Sequence, residues 1–243
     1  MGVYYYCSGF NINNAFFSKL ENRLKEDIKE YKSIVYIPAS NNLEKTLNKY
    51  VPAFTEHFNK IGITFEKTYL ITFDTDKELA KELVKNASFI MLLGGDPYIQ
   101  KELCEKLDIV CELKQYKGVI LGMSAGAMYM SKNIIIVPCS DEYNEFHIES
   151  GLNLTNISIY PHNNFNGKVF PKEIINDEEI TKSDDLISVA KEYGEFYLLQ
   201  DNYINEDITE VSLIRISDNN MEILTDNNGR VFKCTKDGID EFK

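Results

Sequence analysis

Short apolar runs alternate with longer amphipathic segments along the first 130 residues of the chain. The runs VYYYC, SIVYIPAS, TYLITF, SFIMLLGG and GVILGM are almost continuously apolar, and a segment with helical patterning follows each of them. In the second of these segments, apolar residues recur about every 3.6 positions, at Leu43, Leu47, Val51, Phe54 and Phe58. Because strands buried on both faces read as apolar runs, we expect an α/β fold with a mostly parallel sheet flanked by helices on both faces.

The last part of the chain has a different pattern. In EVSLIRISDNNMEILTDNNGRVFKC, apolar and polar residues alternate around DNN and NNG, which are typical of hairpin turns. This segment predicts a C-terminal antiparallel β meander. Because no repeat, low-complexity tract or linker marks a boundary, we expect residues 1–243 to form a single α/β domain.

The overall charge excludes some classes of partner. Asp and Glu exceed Lys and Arg by enough to give a net charge of −12, which repels phosphate backbones and anionic lipids. No apolar run approaches the roughly 18 residues that a membrane span needs, and MGVYYYCSGF reads as a first strand rather than a signal peptide. We therefore expect no nucleic acid and no membrane as partner.

The five cysteines are spread along the chain without a C-x-x-C pair and without a nearby histidine. They are Cys7, Cys104, Cys111, Cys139 and Cys234. This pattern is typical of reduced thiols in a cytoplasmic protein, and it indicates neither a structural metal nor a cofactor.

One motif points to chemistry. VILGMSAGAMYM places Ser124 between Gly122 and Gly126, where an apolar run ends and a helix of small residues begins. A G-x-S-x-G turn between a strand and a helix exposes a serine as a nucleophile, and the sequence predicts a strand over 118–123 and a helix from Ala125. Ser124 is therefore the candidate nucleophile, and the N–H of Ala125 is a candidate oxyanion donor. The alternative is close packing at a strand–helix junction without any catalytic role.

A serine hydroxyl needs a base, and the chain has three histidines. His57 falls in the second predicted helix, where we expect a solvated surface residue, and His147 falls in an acidic stretch that reads as a loop. His162 follows the apolar run NISIYP at the end of a predicted strand, where α/β sheets collect functional residues. His162 is the predicted base, and the alternative is a strand-end histidine bound to a backbone carbonyl.

A second glycine motif, FIMLLGGDPYIQ, carries Gly94 and Gly95 from a strand into a turn. Asp96 is the predicted N-cap of the next helix, and Pro97 is its first residue. Glycines let backbone N–H groups approach a substrate oxygen closely, so we expect Gly94, Gly95 and Asp96 to contribute an oxyanion donor or substrate contact. An ordinary strand-to-helix turn is the alternative.

Together, LLGGDPY, GMSAGA and GLNLTNISIYPHNNF resemble the peptidase E family in order and spacing. These serine peptidases have a fold similar to class I glutamine amidotransferases, which is flavodoxin-like. The similarity covers about residues 30–205. Its most specific part is SAGA after a buried strand, followed by Pro-His. The resemblance implies a triad in the order serine, histidine, acid, with the acid after the strand EFYLLQ, at Asp201.

The chain also departs from related patterns. Amidotransferases of this fold use a cysteine nucleophile and an acid two residues after the histidine, whereas this chain has Ser124 and Asn164, which disfavours ammonia chemistry. The aspartyl dipeptidases imply a glutamate as third member, and Asp201 is shorter. The rival acid is Asp141, in the polar run SDEYNE, which would give the order serine, acid, histidine.

These observations predict a cytoplasmic serine hydrolase that cleaves a small peptide or a related amide through an acyl-enzyme. Ser124 attacks, His162 transfers the proton and Asp201 orients the histidine. One alternative is a cyanophycinase-like isopeptidase or an esterase. An alternative of another class is a non-catalytic binding protein on an amidotransferase-like scaffold.

The sequence also bears on specificity. The resemblance implies cleavage after an N-terminal aspartate, whose carboxylate an arginine fork would read best. The three arginines are Arg23, Arg215 and Arg230, and none lies between the glycine pair and Asp201. The segment after the predicted base offers Lys168 and Lys172 instead. We therefore expect no strict preference for aspartate.

Overall fold

The computed structural model describes residues 2–10, 16–136, 146–162, 172–175, 178–204, 207–226 and 228–243. Within these ranges, residues 172–175, 178–184, 202–204 and 207–209 are described by their backbone. No helix of the described part is long and apolar enough to cross a membrane. The single-domain organisation stays a prediction.

Seventeen strands are present in the described ranges. They are β1 (Val3–Cys7), β2 (Ser33–Ala39), β3 (Lys67–Leu70), β4 (Phe89–Gly95), β5 (Val119–Met123), β6 (Asn133–Ile136), β7 (His147–Ser150), β8 (Ile159–Tyr160), β9 (Lys172–Ile175), β10 (Glu178–Thr181), β11 (Phe196–Leu199), β12 (Asn202–Ile204), β13 (Asp207–Glu210), β14 (Ser212–Ser217), β15 (Asn220–Thr225), β16 (Val231–Thr235) and β17 (Gly238–Phe242).

Eight α-helical segments lie between them in the same ranges. They are α1 (Ser18–Asp27), α2 (Leu43–Lys45), α3 (Val51–Lys60), α4 (Lys77–Asn86), α5 (Pro97–Lys106), α6 (Val110–Gln115), α7 (Ala125–Met130) and α8 (Lys182–Tyr193). A π-helical turn, Thr46–Tyr50, joins α2 to α3.

The main sheet has seven strands in the order β15-β14-β1-β5-β4-β2-β3. Strands β1, β5, β4, β2 and β3 run parallel, and β14 and β15 add an antiparallel hairpin beside β1. The predicted α/β fold with a mostly parallel sheet is confirmed.

Alternation along the parallel strands explains why helices cover both faces. In β1, Tyr4 and Tyr6 belong to one apolar cluster, whereas Tyr5 and Cys7 belong to the other. Helices α4, α5, α6 and α7 contribute to the first cluster, and α1 and α3 contribute to the second. Every residue of β2 is buried, so this strand has the continuous apolar pattern of a strand covered on both sides.

A smaller sheet of four strands has the order β17-β16-β11-β8, in which β8 and β11 are parallel. Helix α8 packs on it through Leu186, Val189 and Ala190. The predicted C-terminal antiparallel strands form two hairpins, β14–β15 and β16–β17, and each hairpin belongs to a different sheet. The prediction of a hairpin turn at NNG is wrong, because the strands before and after this motif, β15 and β16, belong to different sheets.

The predicted second helix is interrupted rather than continuous. The N–H of Val51 donates to the carbonyl of Thr46, five residues back, as in a π-helix. Pro52 lies directly after this turn, and proline has no N–H to donate to the carbonyl four residues before it. The turn therefore widens where proline cannot continue the α-helical bonding.

Two histidine predictions are wrong. His57 was expected on the surface, but only 1% of it is exposed, and its ring packs edge-to-face against Phe16 and Phe54. His57 follows Phe54 by three residues, so both side chains lie on the inward face of α3. His147 was expected in a loop, but it is the first residue of β7, where it is exposed.

A charged contact fixes α1 to the main sheet. The guanidinium of Arg215 in β14 donates to both oxygens of Asp27, at 2.7 Å each, and the hydroxyl of Tyr5 also donates to this carboxylate. The side chains of Asp27 and Arg215 are 10% and 14% exposed. Removing one partner of such a pair leaves the other charge largely buried.

We expect Arg215→Met to lower the free energy of unfolding by about 2 to 4 kcal/mol, because Asp27 loses its cationic partner while the apolar stem is kept. Urea denaturation at neutral pH measures the loss. Arg230→Met is the matched control, since Arg230 is exposed, and it should change stability by less than about 0.5 kcal/mol. Equal effects of the two substitutions would contradict a stabilising role for this pair.

Candidate active site

Ser124 lies on the turn between β5 and α7. Its φ is 52° and its ψ is −113°, a backbone conformation that residues with a side chain rarely adopt. The turn is held in place because the N–H of Ser124 donates to the carbonyl of Cys7 at 2.8 Å, and the N–H of Met128 donates to the carbonyl of Ser124 at 3.0 Å. Strain of this kind is common at functional sites.

The two glycines of the motif let α7 lie directly on the sheet. A Cβ on Gly122 would lie 2.6 Å from the carbonyl carbon of Gly126, and a Cβ on Gly126 would lie 2.2 Å from the carbonyl oxygen of Leu92. Neither position has room for a side chain. The glycines are therefore needed for packing, and that packing fixes the turn that carries Ser124.

His162 and Asp201 come from the smaller sheet. His162 lies two residues after β8, and Asp201 lies two residues after β11. Because β8 and β11 are parallel neighbours, with Tyr160 opposite Leu198, their carboxyl ends meet at one edge. This arrangement brings the two side chains together although 39 positions separate them in the sequence.

A continuous chain of hydrogen bonds joins the three residues. The distance between Ser124 Oγ and His162 Nε2 is 2.6 Å, and the distance between His162 Nδ1 and Asp201 Oδ2 is also 2.6 Å. Asp201 is 1% exposed, and its Oδ1 atom has no hydrogen-bond partner among the described residues. The structure therefore brings together the three residues that the sequence singled out.

The glycine pair borders the same site. Gly95 has a φ of 140°, and a Cβ there would lie 2.1 Å from the carbonyl oxygen of Ala39. Asp96 is the N-cap of α5, as predicted, since its Oδ1 accepts a hydrogen bond from the N–H of Tyr98 at 2.7 Å. The N–H of Asp96 itself donates to the carbonyl of Ala39. Gly94 and Gly95 line the cleft that contains Ser124.

Two cavities meet at Ser124 and His162. The first has a volume of about 570 Å³, and we call it the lysine lobe because Lys45 and Lys49 line it together with Tyr50. The second has a volume of about 500 Å³, and we call it the apolar lobe. Its lining includes Ile99, Met128, Ile135, Ile136, Tyr160 and Asp96.

The lysine lobe contains the side chains that the sequence did not reveal. Lys45 lies in α2 and Lys49 in the π-helical turn, well before the two glycine motifs in the sequence. Their spacing of four residues resembles that of a solvated helix face, and only the fold places this segment beside Ser124. No local pattern in the sequence distinguishes Lys45 and Lys49 from other surface lysines.

Cys7, at the end of β1, lies near the site but is buried and reduced. Burial raises the pKa of its thiol well above the ordinary value, and the negative charge of Asp201 raises this pKa further. A protonated, inaccessible thiol is a poor nucleophile. Cys7 is therefore not a candidate nucleophile.

Several residues from the sequence analysis lie outside the described residues. These are Asp141, the rival acid, and also Asn164, Lys168 and Cys139; Lys172 is described by its backbone alone. Within the described ranges, no group of three or more His, Cys, Asp and Glu side chains has an arrangement that could hold a metal ion.

A serine on a strained strand–helix turn, hydrogen-bonded to a histidine, is typical of serine hydrolases. The model of peptidase family S51 matches residues 6–203 of the chain. The chain therefore belongs to this family, the peptidase E family that the sequence motifs resemble. No curated protein matches the chain significantly.

Solved structures share the fold at low sequence identity. The crystal structure of a peptidase from an acI-B1 Actinobacterium has a TM-score of 0.63 and 18% identity, with 100% of this chain and 94% of that chain covered. A protein assigned as a peptidase E from Listeria monocytogenes EGD-e has a TM-score of 0.57 and 17% identity, with 93% and 98% covered. These similarities show the fold.

We expect Gly126→Ala to lower the free energy of unfolding by about 1 to 3 kcal/mol, because the new methyl group collides with the carbonyl of Leu92. The same collision displaces α7, so a fluorophosphonate should react with Ser124 more slowly than in the wild type. Urea denaturation and labelling rates measure the two effects.

Gly62→Ala is the control for this substitution. Gly62 is exposed with a φ of 80°, and nothing lies within 4 Å of an added Cβ. It should cost about 1 kcal/mol through backbone strain alone and leave labelling unchanged. Unchanged labelling in Gly126→Ala would contradict the link between glycine packing and the position of Ser124.

Proposed function

We propose that this chain is a serine peptidase that hydrolyses short peptides through an acyl-enzyme intermediate on Ser124. The observation that carries this proposal is the chain of hydrogen bonds from Ser124 through His162 to Asp201. Membership of peptidase family S51 supports a peptidase function.

His162 is the general base in this proposal. Its Nε2 atom is within hydrogen-bond distance of Ser124 Oγ, so it can accept the hydroxyl proton as the oxygen attacks the peptide carbonyl. The same nitrogen then donates the proton to the leaving amine. Water then attacks the ester carbonyl while His162 removes its proton; the bond between the acyl carbon and Ser124 Oγ breaks, His162 returns the proton to Oγ, and the acid product leaves.

Asp201 orients and stabilises His162. Its carboxylate accepts from Nδ1, which fixes the tautomer that leaves Nε2 free to act as a base. Because this carboxylate is buried, its charge is poorly screened by solvent, and it favours the positive charge that His162 acquires during attack. An aspartate reaches the histidine here because it follows a strand directly beside the strand of His162.

Backbone N–H groups of Ala125 and Gly95 are the proposed oxyanion donors. Ala125 is the first residue of α7 and follows the nucleophile, the usual place for one such donor in a nucleophile elbow. Gly95 has no side chain to block the approach of the substrate, and it lines both lobes. The N–H of Asp96 is bonded to Ala39, which leaves Asp96 to cap α5 and to line the apolar lobe.

The proposed location is the cytoplasm. All four cysteines in the described ranges are free thiols, and three of them are buried. Free thiols without pairing are typical of reducing compartments.

The first test is covalent labelling. We expect a fluorophosphonate to modify the protein in a one-to-one ratio, because Ser124 is activated by His162. Intact mass spectrometry gives the stoichiometry, and peptide mapping gives the site. Ser124→Ala, with its fold checked by circular dichroism, should not be labelled. A folded wild-type protein that stays unlabelled and cleaves no peptide would favour the non-catalytic binding protein instead.

The second test separates the roles of the histidines. His162→Ala should lower kcat by about 10⁴-fold or more, as expected when the base of a triad is removed. His147→Ala is the matched control, since His147 is exposed in β7, and its kcat should equal that of the wild type. Peptide hydrolysis in a coupled amine assay provides the rates.

The proposed acid of the triad, Asp201, is tested in the same assay. Asp201→Asn should fold normally and lose about 10²- to 10⁴-fold in kcat, because an amide cannot stabilise the charged imidazole. Asp141→Asn is the comparison for the rival acid and should be the milder change. If Asp141→Asn proved the more damaging, Asp141 would replace Asp201 as the third member.

A further inference from the structure

The lysine lobe carries concentrated positive charge in an acidic protein. Lys45 and Lys49 line it, and none of its described lining residues is acidic. Neither lysine forms an ion pair with any residue that the structure describes, whereas Lys25, Lys60 and Lys81 each do. In a chain with a net charge of −12, two lysines without a carboxylate beside the nucleophile indicate an external anion.

Placing these two charges together has a cost. Like charges four residues apart destabilise a helix by about 0.2 to 0.5 kcal/mol, and this helix is already interrupted by a π-helical turn. Both ammonium groups lie over the ring of Tyr50, at 5.5 Å and 6.0 Å from its centroid. Lys45, Lys49 and the ring of Tyr50 all line the same cavity, and cation–π attraction keeps both ammonium groups near this ring. A bound anion would relieve their repulsion.

The two lobes differ in charge in a way that orients a peptide. The apolar lobe has Asp96 in its lining and no lysine or arginine among the described residues there, whereas the lysine lobe has two cations. A free peptide has an ammonium at its N-terminus and a carboxylate at its C-terminus. Its N-terminal end is repelled by the lysines and attracted towards Asp96, so the C-terminal end points into the lysine lobe.

We propose that Lys45 and Lys49 bind the C-terminal carboxylate of a short peptide whose scissile bond lies at Ser124. This inference rests on the proposed peptidase function and deepens it. The residue that leaves as the amine occupies the lysine lobe, and the acyl residue occupies the apolar lobe, beside Met128 and Tyr160. A lysine side chain is a mobile point charge. It can therefore reach the C-terminal carboxylate of leaving residues of different sizes.

The test compares free peptides with their C-terminal amides. The substrates are Ala-Leu and Leu-Leu, each as the acid and as the amide, and kcat/KM is measured for each. We expect the wild type to prefer the acid by about 10- to 100-fold, as expected for a hydrogen bond between two charged groups. The double variant Lys45→Gln with Lys49→Gln should lose most of this preference, mainly through a higher KM.

Four further variants make the comparison specific. Lys45→Arg with Lys49→Arg keeps both charges and should keep the preference for the acid. Lys114→Gln removes one positive charge from an exposed position outside both lobes, and it should behave like the wild type. Ser124→Ala allows calorimetric binding of Ala-Leu and its amide without any turnover, alone and with the two glutamine substitutions.

The outcomes separate this inference from the proposed function. The inference is supported if Ser124→Ala binds the acid more tightly than the amide and if adding Lys45→Gln and Lys49→Gln removes this difference. This result would support the inference even if the wild type cleaved no peptide, although the proposed peptidase chemistry would then fail. Cleavage of acid and amide at equal rates, or a preference that survives in the double glutamine variant, overturns the inference and leaves the peptidase intact. Binding of neither form to folded Ser124→Ala overturns it as well.

The side chain of an N-terminal aspartate is the other substrate carboxylate that the lysines could bind. Asp-Leu and Asn-Leu differ only in the N-terminal side chain. If the double glutamine variant lost a preference for Asp-Leu while remaining indifferent to C-terminal amidation, the lysines would read a side chain, and the proposed orientation would be wrong.

Discussion

The contact between α7 and the main sheet is the constraint on which the site depends. Gly126 lies so close to Leu92 that no side chain fits between them, and Gly122 lies almost as close to Gly126. This contact forces the chain to leave β5 through a turn in which Ser124 has a positive φ. Strain at Ser124 is therefore a consequence of helix packing, and the buried helix supplies the stability that offsets it.

The site also requires two sheets to meet. The main sheet provides Ser124, and the smaller sheet provides His162 and Asp201 from the ends of parallel neighbours. The 2.6 Å hydrogen bond between Ser124 and His162 connects the two sheets, and the 2.6 Å hydrogen bond between His162 and Asp201 joins the ends of two strands of the smaller sheet. A change in the position of either sheet would therefore break the chain of hydrogen bonds at His162.

Charge is distributed unevenly in this acidic chain. The arginines at positions 23 and 215 are engaged by Asp27, Glu26 and Glu222, away from the cleft. Among the described residues, the lysines that line the cleft lie on α2 and on the π-helical turn, and Pro52 follows directly after this turn. Local chain geometry and the positive charge of the cleft are thus linked through one short segment before α3.

The sequence by itself determined the α/β pattern, the strand–turn–helix around Ser124 and the N-cap at Asp96, because each depends on residues close together in the chain. The resemblance to a known family, rather than periodicity, singled out Asp201. Only the tertiary structure decided the rest. His57 is buried because aromatic residues from α3 and from the segment before α1 surround it. The lysine lobe exists because a parallel sheet gathers distant segments at the carboxyl ends of its strands, and no local pattern encodes such a meeting.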